Sequence, residues 1–138
     1  MKIAFSNTND HEDSLWVNSP NSLNIIADDG EATEIMVDDI LHSFSLKEVE
    51  NILQLIASKI KKGGKLILYL TDIELLSHML TTGSITFNDF NDCFFHSGQS
   101  IKSFISSDFI FDILNRLGFK INQKQIKNFT LIIVGTLE

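Results

Sequence analysis

The chain has 138 residues, a hydrophobic fraction of 43%, a charged fraction of 21% and a formal net charge of −7, which indicate one globular domain over residues 1–138. Because nucleic-acid backbones and anionic membranes attract basic proteins, this charge argues against both as main partners. The single cysteine, Cys93, excludes an internal disulfide and is typical of a reducing compartment. No apolar run approaches the ~20 residues of a membrane span, and the apolar start is too short for a signal peptide. We therefore expect a cytoplasmic protein.

The first part of the chain alternates short apolar runs with polar connections. The apolar runs each predict a short strand and comprise residues 2–5, 15–17, 23–27 and 34–38. Residues 6–14 are polar throughout and predict a loop. The connections at residues 6–14 and 18–22 are shorter than the dozen or more residues of a usual parallel crossover. The crossover helices at this end of the sheet should therefore be shortened and the sheet thin.

The middle of the chain carries the strongest helix signal. Ser45 and Glu48 have the spacing of a capping box, which begins a helix predicted over residues 45–62. Apolar residues follow at helical spacing, namely Val49, Ile52, Leu53, Ile56 and Ile60. Gly63 is predicted to end the helix in a left-handed conformation. Residues 65–71 are apolar on both faces and predict a strand that is covered on both sides.

The last part of the chain predicts two helices and a hairpin. The predicted elements are a short helix over residues 73–80, irregular chain over 81–105, a helix over 107–117, an edge strand over 119–126 and a final strand over 129–136. Asp72 can cap the first helix, and Gly118 ends the second. The two-residue turn at Lys127 and Asn128 makes the last two strands antiparallel. The order of elements predicts an α/β sheet with helices on its faces and a C-terminal antiparallel hairpin.

Four segments of the chain match motifs of a known family. Trp16-Val17-Asn18 matches part of the family's Gly-Trp-Ile-Asn-Val-Asp segment, and residues 34–44 correspond to the family's Asp-x-Ile-x-x-x-His-Val-Leu-Glu-His. Gly63-Gly64 matches the family's Pro-Gly-Gly turn without its proline. Residues 100–119 resemble the family's last helix, which ends in Ala-Gly-Phe. With these motifs the chain resembles the short class-I S-adenosylmethionine-dependent methyltransferases of surface-sugar biosynthesis clusters. The resemblance implies a compact, mostly parallel methyltransferase-like sheet, S-adenosylmethionine as cofactor and a small-molecule substrate such as a sugar intermediate.

The departures from the family pattern lie where the cofactor would bind. Ser6, Asn7 and Thr8 replace the family's Gly-x-Gly loop, and side chains there narrow the approach to the backbone. The acid that binds the ribose in the family is matched by Pro20, and the family's His and Glu-His have become Asp39, His42 and Ser43. Two alternatives follow. The chain is an active methyltransferase, or it is a catalytically inactive methyltransferase fold that serves as a binding or assembly module.

The resemblance also implies a set of site residues. The implied cofactor contacts are Ser6, Asn7, Thr8, Asp28, Asp29, Asp38 and Ile40. Asp28 and Asp29 follow the strand predicted over residues 23–27, at the carboxyl end where open α/β sheets bind ligands; the alternative is an Asx turn before Gly30.

Asp39 and His42 are the candidate catalytic residues. A turn can bring residues three apart into hydrogen-bond reach, which a general base requires. The alternatives are charge at a helix start for Asp38 and Asp39, and a surface or capping role for His42.

The remaining histidines and the phenylalanines have simpler interpretations. His11 with Asp10, Glu12 and Asp13 offers a divalent-ion site as one interpretation. Because no second histidine lies at a metal-ligand spacing, we favour the alternative of a solvated loop and predict no metal. His78 and His96 are interpreted as structural. The Phe-rich segment is predicted to seal the core or to form a homodimer contact, with a substrate pocket as the alternative. Its phenylalanines are Phe87, Phe90, Phe94, Phe95 and Phe104.

Overall fold

A computed structural model describes residues 1–95 and 101–138. The strands of these residues are β1 (Lys2–Phe5), β2 (Leu15–Val17), β3 (Ala32–Asp38), β4 (Ile60–Leu70), β5 (Phe119–Lys127) and β6 (Thr130–Leu137). The helices are α1 (Pro20–Ile26), α2 (Leu46–Lys59), α3 (Ile73–Thr81), α4 (Phe87–Phe94) and α5 (Ser107–Arg116), with a 3₁₀ turn at Leu41–Ser43. The interpretation of His96 as structural lies outside the described residues. None of the described helices has the length and apolar character needed to cross a membrane.

The strands form one mixed sheet in the order β2-β1-β3-β4-β6-β5. Strands β1 to β4 are parallel, whereas β6 runs antiparallel to both β4 and β5. This confirms the predicted α/β fold with its C-terminal hairpin. Because the first four strands run in one direction, their last residues meet along one edge of the sheet, which we call the carboxyl edge. Their first residues meet along the opposite, amino edge.

The connections at the β2 side of the sheet are short, as predicted. No helix lies between β1 and β2, and the only helix between β2 and β3 is α1, with 7 residues. The sheet therefore ends at the three-residue strand β2, where Leu15 and Trp16 are exposed.

The prediction of a strand over residues 23–27 is wrong, because this segment belongs to helix α1. The Ser19 hydroxyl accepts a hydrogen bond from the Ser22 N–H, and Pro20 occupies the first turn, where its missing N–H costs nothing. Leu23 is fully buried while Ile25 is 86% exposed, as expected for one face of a helix. Asp28 and Asp29 therefore follow a helix and not a strand.

Helix α2 begins as predicted and ends three residues early. In the capping box the Ser45 N–H donates to the Glu48 carboxylate and the Glu48 N–H donates to the Ser45 hydroxyl. Hydrogen bonding by Ser45, first from its backbone and then from its side chain, lowers the pKa of Glu48. After Lys59 the chain is extended, and Ile60 pairs with Ala32 at the start of β4. Gly63 (φ 82°) lies in an irregular stretch of β4, so its predicted role as the helix cap is wrong.

Helix α4, in the second half of the chain, was not predicted from the sequence. Residues 81–105 were predicted to be irregular, but Thr86 and Asp89 form a capping box that begins α4. The signal was present as Thr-x-x-Asp, a variant of the usual Ser/Thr-x-x-Glu pattern. Helix α3 and helix α5 agree with the prediction within a residue. The hairpin turn lies at Asn128 and Phe129, one residue later than predicted, and both have positive φ.

The apolar residues form two clusters. The main core lies between the sheet and its helices and is built on Phe5, Leu23, Ile35, Leu53, Ile56, Leu68 and Ile110. A smaller cluster joins α3 and α4 through Leu76, Ile85 and Phe94. Helices α3 and α4 follow β4 in the chain, and β4 ends at the carboxyl edge. The segment that contains the smaller cluster therefore begins at that edge.

Candidate active site at the carboxyl edge

The loop after β1 is held by its own hydrogen bonds. The Ser6 N–H donates to the Val17 carbonyl at 3.0 Å, the Trp16 indole N–H donates to the Ser6 carbonyl at 3.0 Å, and the Ser6 hydroxyl donates to the Thr8 carbonyl at 2.6 Å. Ser6 is buried, whereas Asn7 and Thr8 are exposed. The Ser6 hydroxyl is thus engaged inside the loop, and Asn7 and Thr8 are the side chains that can face a ligand.

Asp39 is fixed at the junction of β3 and β4. Its N–H donates to the Tyr69 carbonyl at 3.0 Å, and the Thr71 hydroxyl lies 2.8 and 2.9 Å from its two carboxylate oxygens. Its φ of 45° is uncommon for a residue other than glycine, although aspartate adopts it more readily than most. Such local strain is frequent at functional sites.

His42 lies next to Asp39, as their spacing allowed, but the alternative of a surface role for His42 is wrong because its side chain is buried. The imidazole is 2% exposed, and its Nδ1 is 3.6 Å from Asp39 Oδ1. That separation is longer than a hydrogen bond, but catalytic contacts are often long before a ligand binds. The other ring nitrogen, Nε2, is buried and forms no hydrogen bond with any of the residues that the structure describes. A buried polar atom in this state is costly, which makes His42 a candidate for a functional residue.

His11 connects the polar loop to the end of β3. Its Nε2 is 3.0 Å from Asp38 Oδ2 and 3.3 Å from Asp10 Oδ1. The His11 and Asp38 side chains are 25% and 34% exposed, so this contact is more enclosed than the solvated loop that the sequence suggested. Sequence spacing does not reveal it, because the two residues are 27 positions apart.

Asp28 and Asp29 do not join this site. They precede β3 and therefore lie at the amino edge, where Asp29 Oδ1 is 3.1 Å from the Lys59 Nζ and the Gly30 N–H donates to the Ser58 carbonyl. Their predicted position at the carboxyl edge is wrong because it depended on a strand over residues 23–27. Ile40 follows the site residues in the chain, but its side chain is in the main core, so it offers a ligand no side-chain contact.

Replacing Asp29 by asparagine tests whether this residue is structural. The Lys59 side chain is only 7% exposed, and losing its carboxylate partner is expected to lower the free energy of unfolding by about 1 kcal/mol. Denaturant unfolding measures the change. Asp28 and Asp29 are both exposed, but Asp29 is the one paired with Lys59, so Asp28→Asn should stay within ~0.5 kcal/mol of the wild type. Equal stability of Asp29→Asn and the wild type would contradict the structural role of Asp29.

Pro20, which motif matching sets at the place of the family's ribose-binding acid, does not directly follow β2. Strand β2 ends at Val17, and Pro20 already belongs to the first turn of α1. The residue directly after the strand is Asn18, which is exposed. The carboxyl edge therefore presents an amide at this position. The end of the strand at Val17 was predicted correctly, but Asn18 was missed because the ribose-binding position was taken from the family motif and not from the end of the strand.

The Phe-rich segment both seals a core and leaves aromatic surface exposed. Phe94 is buried, and its ring centroid lies 5.3 Å from those of Phe90 and Phe104, with edge-to-face geometry in both pairs. Phe87, Phe95 and Phe104 are 68%, 61% and 57% exposed.

The chain after the Phe-rich segment contacts the site. The N–H of Lys102 donates to the His42 carbonyl at 2.9 Å, and the Ser103 hydroxyl donates to the Phe44 carbonyl. This part of the chain therefore lies directly against the 3₁₀ turn that carries His42.

No protein-family model and no curated protein matches the sequence, but many solved structures match the fold. An O-methyltransferase family protein from Burkholderia thailandensis matches with 12% identity and a TM-score of 0.61, over 91% of this chain and 36% of that protein. The magnesium protoporphyrin IX methyltransferase of Synechocystis PCC 6803, solved with bound S-adenosylhomocysteine, matches with 15% identity and a TM-score of 0.59, over 91% and 52%. The chain has the class-I methyltransferase fold.

A third similar structure is a Haloferax volcanii complex between the Trm112 methyltransferase activator and a putative methyltransferase, at 14% identity and a TM-score of 0.60, over 92% of this chain and 62% of that one. In all three comparisons the chain spans less than two thirds of the other protein. At these identities the likeness concerns the fold, so function must be argued from the site itself.

Proposed function

We propose that the chain is an S-adenosylmethionine-dependent methyltransferase-like protein that acts on a small molecule in the cytoplasm. The observation that carries the proposal is the contact between Asp39, Thr71 and His42 at the carboxyl edge. Open α/β sheets bind their ligands at this edge. The magnesium protoporphyrin IX methyltransferase of the same fold was solved both with S-adenosylhomocysteine and with S-adenosylmethionine bound, which supports this class of ligand.

The residues at the carboxyl edge have the chemistry that this cofactor needs. Asn7, Thr8 and Asn18 are exposed and offer hydroxyl and amide groups to the ribose and to the amino-acid part. The carboxylate of Asp39 complements a cationic ligand. When bound, S-adenosylmethionine supplies an electrophilic methyl group, and the gain in rate comes largely from holding the acceptor in line with it.

Within this proposal Asp39 and His42 have different roles. The Asp39 side chain is 18% exposed, whereas His42 is 2% exposed. Only Asp39 can therefore touch the acceptor and take the proton from its nucleophilic oxygen or nitrogen. The buried His42 contacts the Asp39 carboxylate from the protein interior and acts as a positioning residue, and the Thr71 hydroxyl holds the same carboxylate in place. This assigns the base role to Asp39 where the sequence left it open between the two.

The alternative function is an inactive methyltransferase fold that serves as a binding or assembly module. Two observations favour it. The Ser6 hydroxyl is engaged within the loop that replaces the family's glycines, and three large phenylalanine side chains, Phe87, Phe95 and Phe104, are exposed. Exposed apolar surface of this kind often marks a contact with another protein, including a second copy of the chain.

Titration with S-adenosylmethionine and S-adenosylhomocysteine distinguishes the two functions. A ligand at 100 times its dissociation constant stabilises the folded state by ~2.7 kcal/mol, so we expect a rise in melting temperature and a saturable calorimetric signal. Asn18→Ala should weaken the signal. Asp28→Ala, at the amino edge, should not change it and serves as the matched control. Absence of heat and of a thermal shift at millimolar ligand would overturn the enzyme proposal and favour the module.

A further inference from the structure

We propose that Asp10, His11 and Asp38 form a binding site for a divalent transition-metal ion. One residue pair comes from the loop after β1 and the third residue from the end of β3, so the site exists only in the folded chain. The imidazole nitrogen and the two carboxylate oxygens all lie within 4.8 Å of one another. The proposal rests on these groups alone and is independent of methyl transfer.

The geometry of the three donor atoms is close to that of a bound ion. Ligand atoms ~2.1 Å from a tetrahedral zinc ion lie ~3.4 Å from each other. His11 Nε2 is 3.0 Å from Asp38 Oδ2 and 3.3 Å from Asp10 Oδ1. Shifts of a few tenths of an ångström bring these two contacts to that separation. The two carboxylate oxygens lie within 4.8 Å of each other, and rotation of the exposed Asp10 side chain can draw its oxygen closer to Asp38.

The charges of the cluster also favour a cation. The Asp10 and Asp38 carboxylates both face His11 Nε2, so with a neutral imidazole two negative charges meet without a cation between them. In the described part of the chain neither carboxylate forms an ion pair with a lysine or arginine. Glu12 and Asp13 add two exposed carboxylates to the same loop. A divalent ion balances the paired carboxylates, and its coordination requires His11 in the neutral form.

The ion has a route to the site and open coordination positions. An open groove of about 360 Å³ lies beside the loop. Its lining is mainly acidic, with Asp10, Glu12, Asp13 and Glu34 beside His11 and Lys2, the single cation among the described lining residues. Three protein ligands leave at least one position for water, as in metal sites that bind a further ligand. A mixture of one imidazole and two carboxylates suits Zn²⁺ or Mn²⁺, whereas Mg²⁺ prefers oxygen ligands alone.

Calorimetric titration of the untagged protein with ZnCl₂, MnCl₂ and MgCl₂ tests the site. We expect one saturable site per chain, with Zn²⁺ bound more tightly than Mn²⁺ and Mg²⁺ bound most weakly. His11→Ala and Asp38→Asn should each raise the dissociation constant for Zn²⁺ by at least about tenfold, the scale on which metal-site substitutions act. Asp13→Asn removes the same charge from the same loop without removing a ligand and should change the constant less than threefold.

A second measurement uses the unaltered chain and so does not depend on the folding of any variant. Substoichiometric Mn²⁺ should broaden the amide NMR signals of residues 10, 11 and 38 before those of residues 28 and 29 at the amino edge. The proposal is overturned if none of the three ions binds at millimolar concentration, or if binding persists unchanged in both His11→Ala and Asp38→Asn. Broadening that follows all exposed acidic residues alike would also overturn it.

Discussion

Replacing Phe5 by alanine is expected to lower the free energy of unfolding by about 3–5 kcal/mol. Phe5 is fully buried in β1, pairs with Val17 and Val37 on its two sides, and meets the Phe44 ring at 6.3 Å in edge-to-face geometry. The substitution leaves a cavity between the sheet and the segment that carries His42. Urea unfolding followed by circular dichroism measures the effect.

The matched control for this prediction is Phe87→Ala. Phe87 is 68% exposed at the start of α4, so the same deletion there should change the stability by less than ~0.5 kcal/mol. Because single domains are stable by only ~5–15 kcal/mol, Phe5→Ala could unfold much of the protein at 37 °C. Equal stabilities of the two variants would show that β1 does not have the central position described.

The second large effect is expected for Asp39→Asn. Asparagine keeps the size of the side chain and tolerates the φ of 45° at this position, so the fold should remain. The charge and the proton acceptor are lost, and general-base catalysis typically contributes 10²–10⁴-fold. For an acceptor found by screening small molecules for S-adenosylhomocysteine formation, we expect kcat to fall by about 10²-fold or more, with a small change in KM.

Asp13→Asn is the control for the charge change, since Asp13 is exposed in the loop before β2. It should retain the wild-type kcat. Thermal unfolding of both variants checks that the loss in Asp39→Asn is not a loss of folded protein. If Asp39→Asn retained the wild-type kcat, Asp39 would not be the general base. Catalysis would then depend on the positioning of the substrates alone.

Elements with strong local signals were predicted well. The capping box at Ser45 and the apolar stripe after it identify α2, because both act between residues only three or four positions apart. The last two strands were identified by their alternation and by the two-residue turn that joins them. The proximity of Asp39 and His42 also depends on a local signal, since one turn of chain brings residues three positions apart close together.

Elements whose local signals were ambiguous were predicted wrongly. Residues 23–27 are apolar and short, and periodicity alone does not separate a strand from a helix in such a run. The Ser19 cap and Pro20 were the deciding signals, and the error moved Asp28 and Asp29 to the wrong edge of the sheet. Helix α4 was missed because its capping box has aspartate in place of glutamate.

The sequence by itself determined the class of fold, the order of most elements and the segment after β3 in which Asp39 and His42 lie. Those properties depend on hydrophobic periodicity and on caps, which are local. Only the tertiary structure placed His11 against Asp38, Thr71 against Asp39 and Lys59 against Asp29. These contacts join residues 27 to 32 positions apart. They follow from which strands are neighbours and in which direction they run, and strand pairing is decided by the burial of the whole sheet and not by any short stretch of sequence.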